Sequence, residues 1–413
     1  MKTLLQDGLG LKVLITTDLT GFELSQGAKI NYSDNKLEDC LNIRPHTILY
    51  DHGIRDYHLQ VSAHERFRKI FFRNTNDPVP FDLPGAAFWL LSRYEEYLPY
   101  KADVQNRFNY RSSVAYQYDF LQYPLVNHWL DELRKILQAL FPDLQLRRRN
   151  YNFVSSIDID NVYKYRYKGF VRTLAGILTD RSIKEIKERF SIIWGRKKDP
   201  FDCYDYLIET HKNLNIWAIC FFLLGDYGPN DKNHSAQDLR FQKLIKHVAD
   251  YNVVGIHPSY GSNNNPRQLR VEVARLSTIV HRTIIRSRQH FGMLKFPNTY
   301  QDLLQAGISN DYTMGYTNRN GFRSSYCFPY KWYNLELEAM SSLSIHPFSV
   351  SDNAILAAML ADPRPLVEHA KPFIDEVRKY GGEMVSIFHN DNFNEQMRKV
   401  YPDFLALAKA EDH

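Results

Sequence analysis

Two carboxylates close an apolar run in Phe153-Val154-Ser155-Ser156-Ile157-Asp158-Ile159-Asp160. The run reads as a strand, and alternate strand residues point the same way, so Asp158 and Asp160 project from one side of its end. Two acids at the end of a buried strand are costly unless a cation compensates them, and a metal ion is the usual compensation. Histidines recur after further apolar runs. His257 follows Val253-Val254-Gly255-Ile256, and His389 follows Met384-Val385-Ser386-Ile387-Phe388. His290 comes after Ser287-Arg288-Gln289, and His346 follows a weaker run at Leu343–Ile345. An imidazole in such a place suits metal ligation or proton transfer, because its ordinary pKa lies near neutrality. Taken singly, each has a plainer alternative. His257 could be a capped structural residue, His290 a surface residue beside Arg288, and His346 a structural or substrate-rim residue. The pattern of Asp or His at four separate strand ends is what points to a site.

Two loops mix rings with polar groups: Asp311-Tyr312-Thr313-Met314-Gly315-Tyr316 and Gly321-Phe322-Arg323. Such loops suit a sugar-binding rim, and they also resemble ordinary exposed loops. Tyr260, Tyr312, Arg323, His346 and Asp352 are the expected substrate-side residues. Asp352, in Ser351-Asp352-Asn353, could orient a histidine or cap the following helix.

The elements that position these residues alternate strand and helix from Tyr151 onward. Strands are expected at Asn152–Ile157, Ile216–Leu224, Val253–Ile256, Thr283–Ser287, Met293–Phe296, Leu343–Ile345 and Met384–Phe388. Helices are expected at Tyr204–Asn213, Ala236–Tyr251, Arg267–Val280, Thr299–Ala306, Pro365–Tyr380 and Asn394–Ala410, with Gly381-Gly382 capping the fifth. Repeated βα units imply an α/β class and a parallel sheet. About seven units suit an irregular (β/α) barrel, with an open doubly wound sheet as the alternative. Upstream, Leu11–Thr17 reads as a strand, Phe88–Tyr97 has helical spacing, and Leu125–Phe141 is an amphipathic helix stopped by Pro142. The polar, Arg-rich stretch Asp143–Asn152 divides a smaller α/β domain, 1–146, from a larger one, 147–413.

At 413 residues two domains are the default. A net charge of +5, with basic runs only at Arg147-Arg148-Arg149 and Arg196-Lys197-Lys198, reads as solvated surface and demands no nucleic acid. The cysteines Cys40, Cys203, Cys220 and Cys327 form neither a zinc-thiolate pattern nor a disulfide framework. The N-terminus lacks a signal-peptide apolar region, and no apolar run is long enough to span a bilayer, so a cytoplasmic protein is expected.

At Asp158-Ile159-Asp160-Asn161, Gly255-Ile256-His257-Pro258-Ser259-Tyr260, Ser287-Arg288-Gln289-His290-Phe291, Asp311-Tyr312-Thr313-Met314-Gly315-Tyr316 and Phe388-His389-Asn390 the chain resembles the polysaccharide deacetylase family. These are carbohydrate esterases with a NodB-homology domain. Leu90-Leu91-Ser92-Arg93-Tyr94-Glu95-Glu96-Tyr97-Leu98-Pro99 narrows the likeness to a two-domain bacterial branch whose N-terminal domain has no known role. The resemblance implies an irregular seven-stranded (β/α) barrel that removes acetyl groups from N-acetylated sugars with a divalent metal. It makes Asp158 the base, Asp160 and His257 ligands, Arg288 the partner of the base, and His389 the acid. The family's second ligand histidine falls here at Gly261, so His290 is expected to supply the missing imidazole. Zinc is the first expectation, with cobalt or nickel compatible, and a saccharide is the expected partner. Two other readings keep the fold: a catalytically decayed carbohydrate-binding or scaffold protein, favoured by Gly261, and a two-carboxylate glycosidase. The last needs acids facing each other across a cleft, which alternate residues of one strand do not provide.

Overall fold

The computed structural model describes residues 1–73, 77–168 and 182–410. A nine-stranded sheet is built wholly from residues 152–389. In chain order its strands are β1 (Asn152–Ile159), β2 (Ala218–Phe222), β3 (Val253–Ile256), β4 (Arg286–Ser287) and β5 (Asn310–Asp311). Then come β6 (Tyr330–Asn334), β7 (Ala339–Ile345), β8 (Phe348–Ser351) and β9 (Glu383–His389). Their spatial order is β6-β7-β5-β4-β3-β2-β1-β9-β8. Neighbours are parallel throughout except for the β6–β7 hairpin. The central strands are covered on both faces, which is why β2 reads Ala218-Ile219-Cys220-Phe221-Phe222 without alternation and is buried along its whole length.

β7 and β8 lie near opposite ends of this order, yet only His346 and Pro347 separate them in sequence. Three peptide steps span at most about 11 Å, so the sheet must curl until its far edge returns beside its near one. The Phe348 N–H donates across that seam to the Met314 carbonyl at 3.0 Å. Among the described residues no strand ladder joins the two edges.

Helices run between the strands: Tyr204–Asn213, Leu239–Tyr251, Pro266–Val280, Asn298–Gln305, Leu366–Lys379 and, at the end, Glu395–Lys409. They follow the sequence expectation to within a few residues. Several expectations are corrected. Leu11–Thr17 forms no strand: it finds no partner ladder, and Leu14 is 91 % and Ile15 56 % exposed. Met293–Phe296 is likewise outside any strand, although Met293 and Leu294 are buried. Phe88–Tyr97 is not one helix. The helix is Leu83–Ser92, Arg93 turns left-handed at φ 58°, and Tyr94–Glu96 is a separate 3₁₀ turn. The run at Leu343–Ile345 belongs to a seven-residue strand, while β5, β6 and β8 and the helices Ile183–Ile193 and Asp352–Met359 went unforeseen.

The first 142 residues contribute short two-stranded pairs and the helices Leu83–Ser92 and Leu125–Leu140. Leu125, Trp129, Leu133, Ile136 and Leu137 recur on one face of the second helix and are buried. They join an apolar cluster that continues without a break from Leu4 to Ala408. Backbone and side-chain bonds tie this region to the segment before β6. Val126 N–H donates to the Ser325 carbonyl at 3.0 Å, and Cys327 N–H to Asn127 Oδ1 at 2.9 Å. Among the described residues no helix is long and apolar enough to cross a membrane.

Candidate metal and acid–base site

The strand ends deliver the acids and imidazoles to one place. Ile157 and Ile159 are buried in the core, which fixes the pleat of β1 and sends Asp158 the other way. Asp158 lies directly opposite His389 in the β1–β9 ladder. His257 extends β3 by one bond, its N–H donating to the Phe222 carbonyl at 2.9 Å. Gly255, just before it, has no room for a side chain: a Cβ would fall 2.6 Å from the Phe221 ring. That ring in turn lies 4.6 Å beneath the Arg288 guanidinium.

Asp160, His257 and His290 have ligand atoms that all lie within 4.8 Å of one another. His257 Nε2 is 3.0 Å from Asp160 Oδ1, and His290 Nε2 is 3.6 Å from Asp160 Oδ2. The opposite ring nitrogens are already committed. His257 Nδ1 donates to the Arg288 carbonyl at 2.5 Å, and His290 Nδ1 donates to Asp231 at 3.0 Å. The Nε2 of His257 therefore turns toward a buried carboxylate oxygen that has no other polar partner. A cation seated there would meet the ring nitrogen and the carboxylate oxygen together. Two imidazoles and one carboxylate, with the far nitrogens held by fixed acceptors, are the donor set and outer support that zinc-type ions use.

Charges in the cluster move the titrations accordingly. Burial would raise the Asp160 pKa, but the His290 and His257 imidazoles outweigh it and hold the carboxyl well below its ordinary range. Burial would lower His290, but Asp160 and Asp231 raise it to about 9. Burial opposes protonation of His389 as well, yet Asp352, then Asp160 and Asp158, carry its pKa well above the ordinary value.

Asp158 stands beside this triad without joining it. Arg288 Nη1 donates to its Oδ1 at 2.9 Å and to Ser156 Oγ at 2.7 Å, while Arg288 Nε donates to the Tyr312 carbonyl at 3.0 Å. Asp158 Oδ2 lies 4.0 Å from His257 Nε2 and 3.9 Å from His389 Nε2. His389 is oriented from behind: Asp352 Oδ1 accepts from its Nδ1 at 2.8 Å, and Asp352 Oδ2 accepts from its backbone N–H at 2.7 Å. The cluster lines a cleft of about 100 Å³.

The expected substrate-side residues separate. Asp352 reaches the cluster as the buried partner of His389. Tyr312 offers its carbonyl to Arg288, but its ring stacks on His346 at 4.3 Å, inside the curled sheet. His346 is not a rim residue. It bonds Glu383 at 2.6 Å and Asn310 at 3.0 Å, and Glu383 starts the strand that His389 ends, about 20 Å away. Arg323 is not a rim residue either. It is buried against Glu96, with Nε to Oε1 at 2.9 Å and Nη2 to Oε2 at 2.5 Å, because Arg93 and Arg323 share that one carboxylate. Tyr260 bonds Asp231 through its N–H at 2.9 Å, and its ring packs edge-on to Phe291.

Asp231 was missed. It accepts from Tyr260 N–H and from Gly261 N–H at 3.0 Å while holding His290. Gly261 thus supplies a backbone donor to the acid that holds His290. The only sequence signal was a polar loop, Gly225–Asn233, after a parallel strand. A second missed contact comes from the N-terminal third. Arg107 Nη1 donates to the Phe291 carbonyl and, at 3.0 Å, to Thr317 Oγ1, and both residues line the cleft.

Residues 1–142 match a family of unknown function, DUF7033. No curated protein matches the chain. Among solved structures it is similar to a Mycobacterium smegmatis protein assigned as a polysaccharide deacetylase, at 13% identity over 64% of this chain and 86% of that one, TM-score 0.39. It is similar to a polysaccharide deacetylase from Bacillus cereus at 13% identity over 65% and 93%, TM-score 0.32. A mutant CE4 family pseudoenzyme matches at 11% identity over 65% and 68%, TM-score 0.28. At these levels no residue role passes from those proteins to this one.

Proposed function

We propose that the chain is a metal-dependent hydrolase that removes an acetyl group from an N-acetylated sugar or saccharide intermediate. The observation that carries the reading is the facing of His257 Nε2 and the unsatisfied Asp160 Oδ1 at 3.0 Å, with His290 completing the set. Asp160, His257 and His290 would hold the ion, zinc first, with cobalt or nickel compatible with the same donors. Such an ion, when bound, polarises an amide carbonyl and acidifies water.

The remaining residues divide the proton transfers. Asp158 accepts the water proton on Oδ2, while Arg288 holds its other oxygen. His389, kept protonated by Asp352, gives a proton from Nε2 to the leaving amine. A cleft of about 100 Å³ suits a small acyl group better than a whole sugar ring, so in this reading the saccharide lies at its mouth. In this reading residues 147–413 form an irregular (β/α)7-type barrel unit. Residues 1–146 form a unit that builds part of its rim through Arg107.

The second reading, a decayed binding protein, draws on Gly261. Elemental analysis of wild type, Asp160→Ala and His290→Ala separates the two, together with acetate release from N-acetylated oligosaccharides with and without chelator. Near-stoichiometric metal lost in both variants, and chelator-sensitive acetate release, are expected. Wild-type protein that takes up no zinc, cobalt or nickel would overturn the metal site. A loaded protein that releases no acetate from any such sugar would move the binding reading to first place.

A further inference from the structure

At the opposite end of the sheet lies a second concave site of about 420 Å³. Tyr151 and Gly381, which line it, lie just before the starts of β1 and β9, one and two residues away, whereas Asp158 and His389 lie at the far ends of those strands, about 20 Å away. Five cations line the cleft: Arg134, Arg148, Arg149, Arg378 and Lys379. One carboxylate faces them, Asp131, and it pairs with Lys135 at 3.2 Å. Arg378 is engaged with Asp375 at 3.4 Å and donates to the Leu407 carbonyl at 2.8 Å. Among the described residues no carboxylate forms an ion pair with Arg134, Arg148 or Arg149. Burial lowers the Arg134 pKa, Asp131 opposes this, and the Arg148 charge adds to it.

Arg148, Arg149 and Lys379 are exposed, yet the backbone that carries the two arginines is held in place. The linker carrying Arg148 and Arg149 is clamped on both sides. Arg134 Nη1 donates to the Arg147 carbonyl at 3.3 Å. Gly381, at φ 67°, lets the Arg149 carbonyl approach so closely that a Cβ there would fall 2.0 Å from it. The Arg149 guanidinium lies 4.8 Å over the Phe328 ring. A buried donor also waits at the cleft: Asn127 is 2 % exposed, its Oδ1 accepts from Cys327 N–H, and its Nδ2 donates to nothing. Arginine forks match phosphate oxygens, a buried amide N–H₂ seeks an acceptor, and the volume is that of a small-ligand site.

We propose that this cleft binds a diphosphate or polyphosphate ester, a second ligand site remote from the acid–base cluster and independent of its activity. The cations take the phosphate oxygens and Asn127 Nδ2 donates to one of them.

The test is calorimetric titration of inorganic pyrophosphate into chelator-treated, dialysed full-length protein, so that pyrophosphate meets no metal. Wild type and Asp160→Asn should bind alike, with affinity falling as salt rises. The double variant Arg148→Ala/Arg149→Ala should weaken binding by about tenfold or more. Asn127→Asp keeps the acceptor for Cys327 N–H and removes the donor, and it should weaken binding too. Thermal melts without ligand check that each variant is folded. Absent binding to wild type, or equal binding by the double variant and wild type, overturns the site. Pyrophosphate binding lost in Asp160→Asn overturns its independence. Sedimentation with phosphatidylglycerol vesicles supplies the other phosphate source, and vesicle binding without pyrophosphate binding also overturns the small-ligand proposal.

Discussion

Lowering the pH from 7 to 5 should destabilise this protein through one buried imidazole outside the candidate active site. His211 is 2 % exposed. Its Nδ1 donates to the Leu207 carbonyl at 2.7 Å, and its Nε2 accepts from Ser155 Oγ at 2.9 Å and Tyr401 Oη at 3.1 Å. Both nitrogens are used and the ring is neutral. Burial lowers its pKa from 6.5 to about 4, against the opposing bond to Leu207. Above pH 6.5 neither folded nor unfolded chain binds the proton, so nothing is lost. Between 6.5 and 4 the unfolded chain takes it up and the folded chain does not, so stability falls as pH falls. The full effect is about 3 kcal/mol, of which about 2 kcal/mol is lost by pH 5. His211→Gln keeps an acceptor for the two hydroxyls but has no proton to gain. Urea unfolding of both proteins at pH 7 and pH 5 isolates the effect, because every other titrating group is shared. The variant should be less stable at pH 7 and lose about 2 kcal/mol less than wild type between the two values. Equal losses in the two proteins would refute the assignment of acid sensitivity to His211.

Asp231→Asn leaves Asp160, His257 and His290 in place but weakens the acceptor behind His290, and metal affinity measured by competition with a chromophoric chelator should fall about 10–100-fold. Asp352→Asn removes the charge that keeps His389 protonated, so kcat for acetate release should fall by about 10²-fold or more with little change in KM. An unchanged kcat would remove His389 from the role of acid. Glu96→Gln leaves Arg323 buried beside a neutral amide, while Arg93 keeps Glu95 at 2.8 Å, and should cost about 3–5 kcal/mol in urea unfolding. Arg107→Ala frees the Phe291 carbonyl beside His290. Metal affinity should fall in that variant while the unfolding midpoint of metal-free protein stays within about 0.5 kcal/mol of wild type.

The apolar runs of β1, β3 and β9 were legible because they are continuous and end in polar residues, and the same runs placed Asp158, Asp160, His257 and His389. The shortest strands, β4 and β5, have two residues each, too few for a period to show. β8 is buried throughout yet reads Phe348-Ser349-Val350-Ser351, an alternation that mimics a half-exposed strand although both serines lie in the interior. Leu11–Thr17 shows the converse: strand propensity without a neighbouring ladder gives no strand. His346 and Arg323 are polar, lie near strand ends and still miss the site. Each is satisfied by one carboxylate distant in sequence, Glu383 and Glu96, and such pairings leave no local mark. Asp231 escaped for the same reason, since its partner His290 is 59 residues away.

The ties between the first 142 residues and the segment before β6 bear on any attempt to study the sheet alone. A fragment beginning at residue 147 would keep Arg323 and lose Glu96, keep Cys327 N–H and lose Asn127 Oδ1, and keep Ser325 while losing the Val126 N–H that caps its carbonyl. One apolar cluster runs through both parts, so the cut would also bare apolar surface. Each loss strands a buried polar group or opens a greasy face, so the excised piece should aggregate rather than report on the chemistry. For this protein the smallest unit that can be assayed is the whole chain.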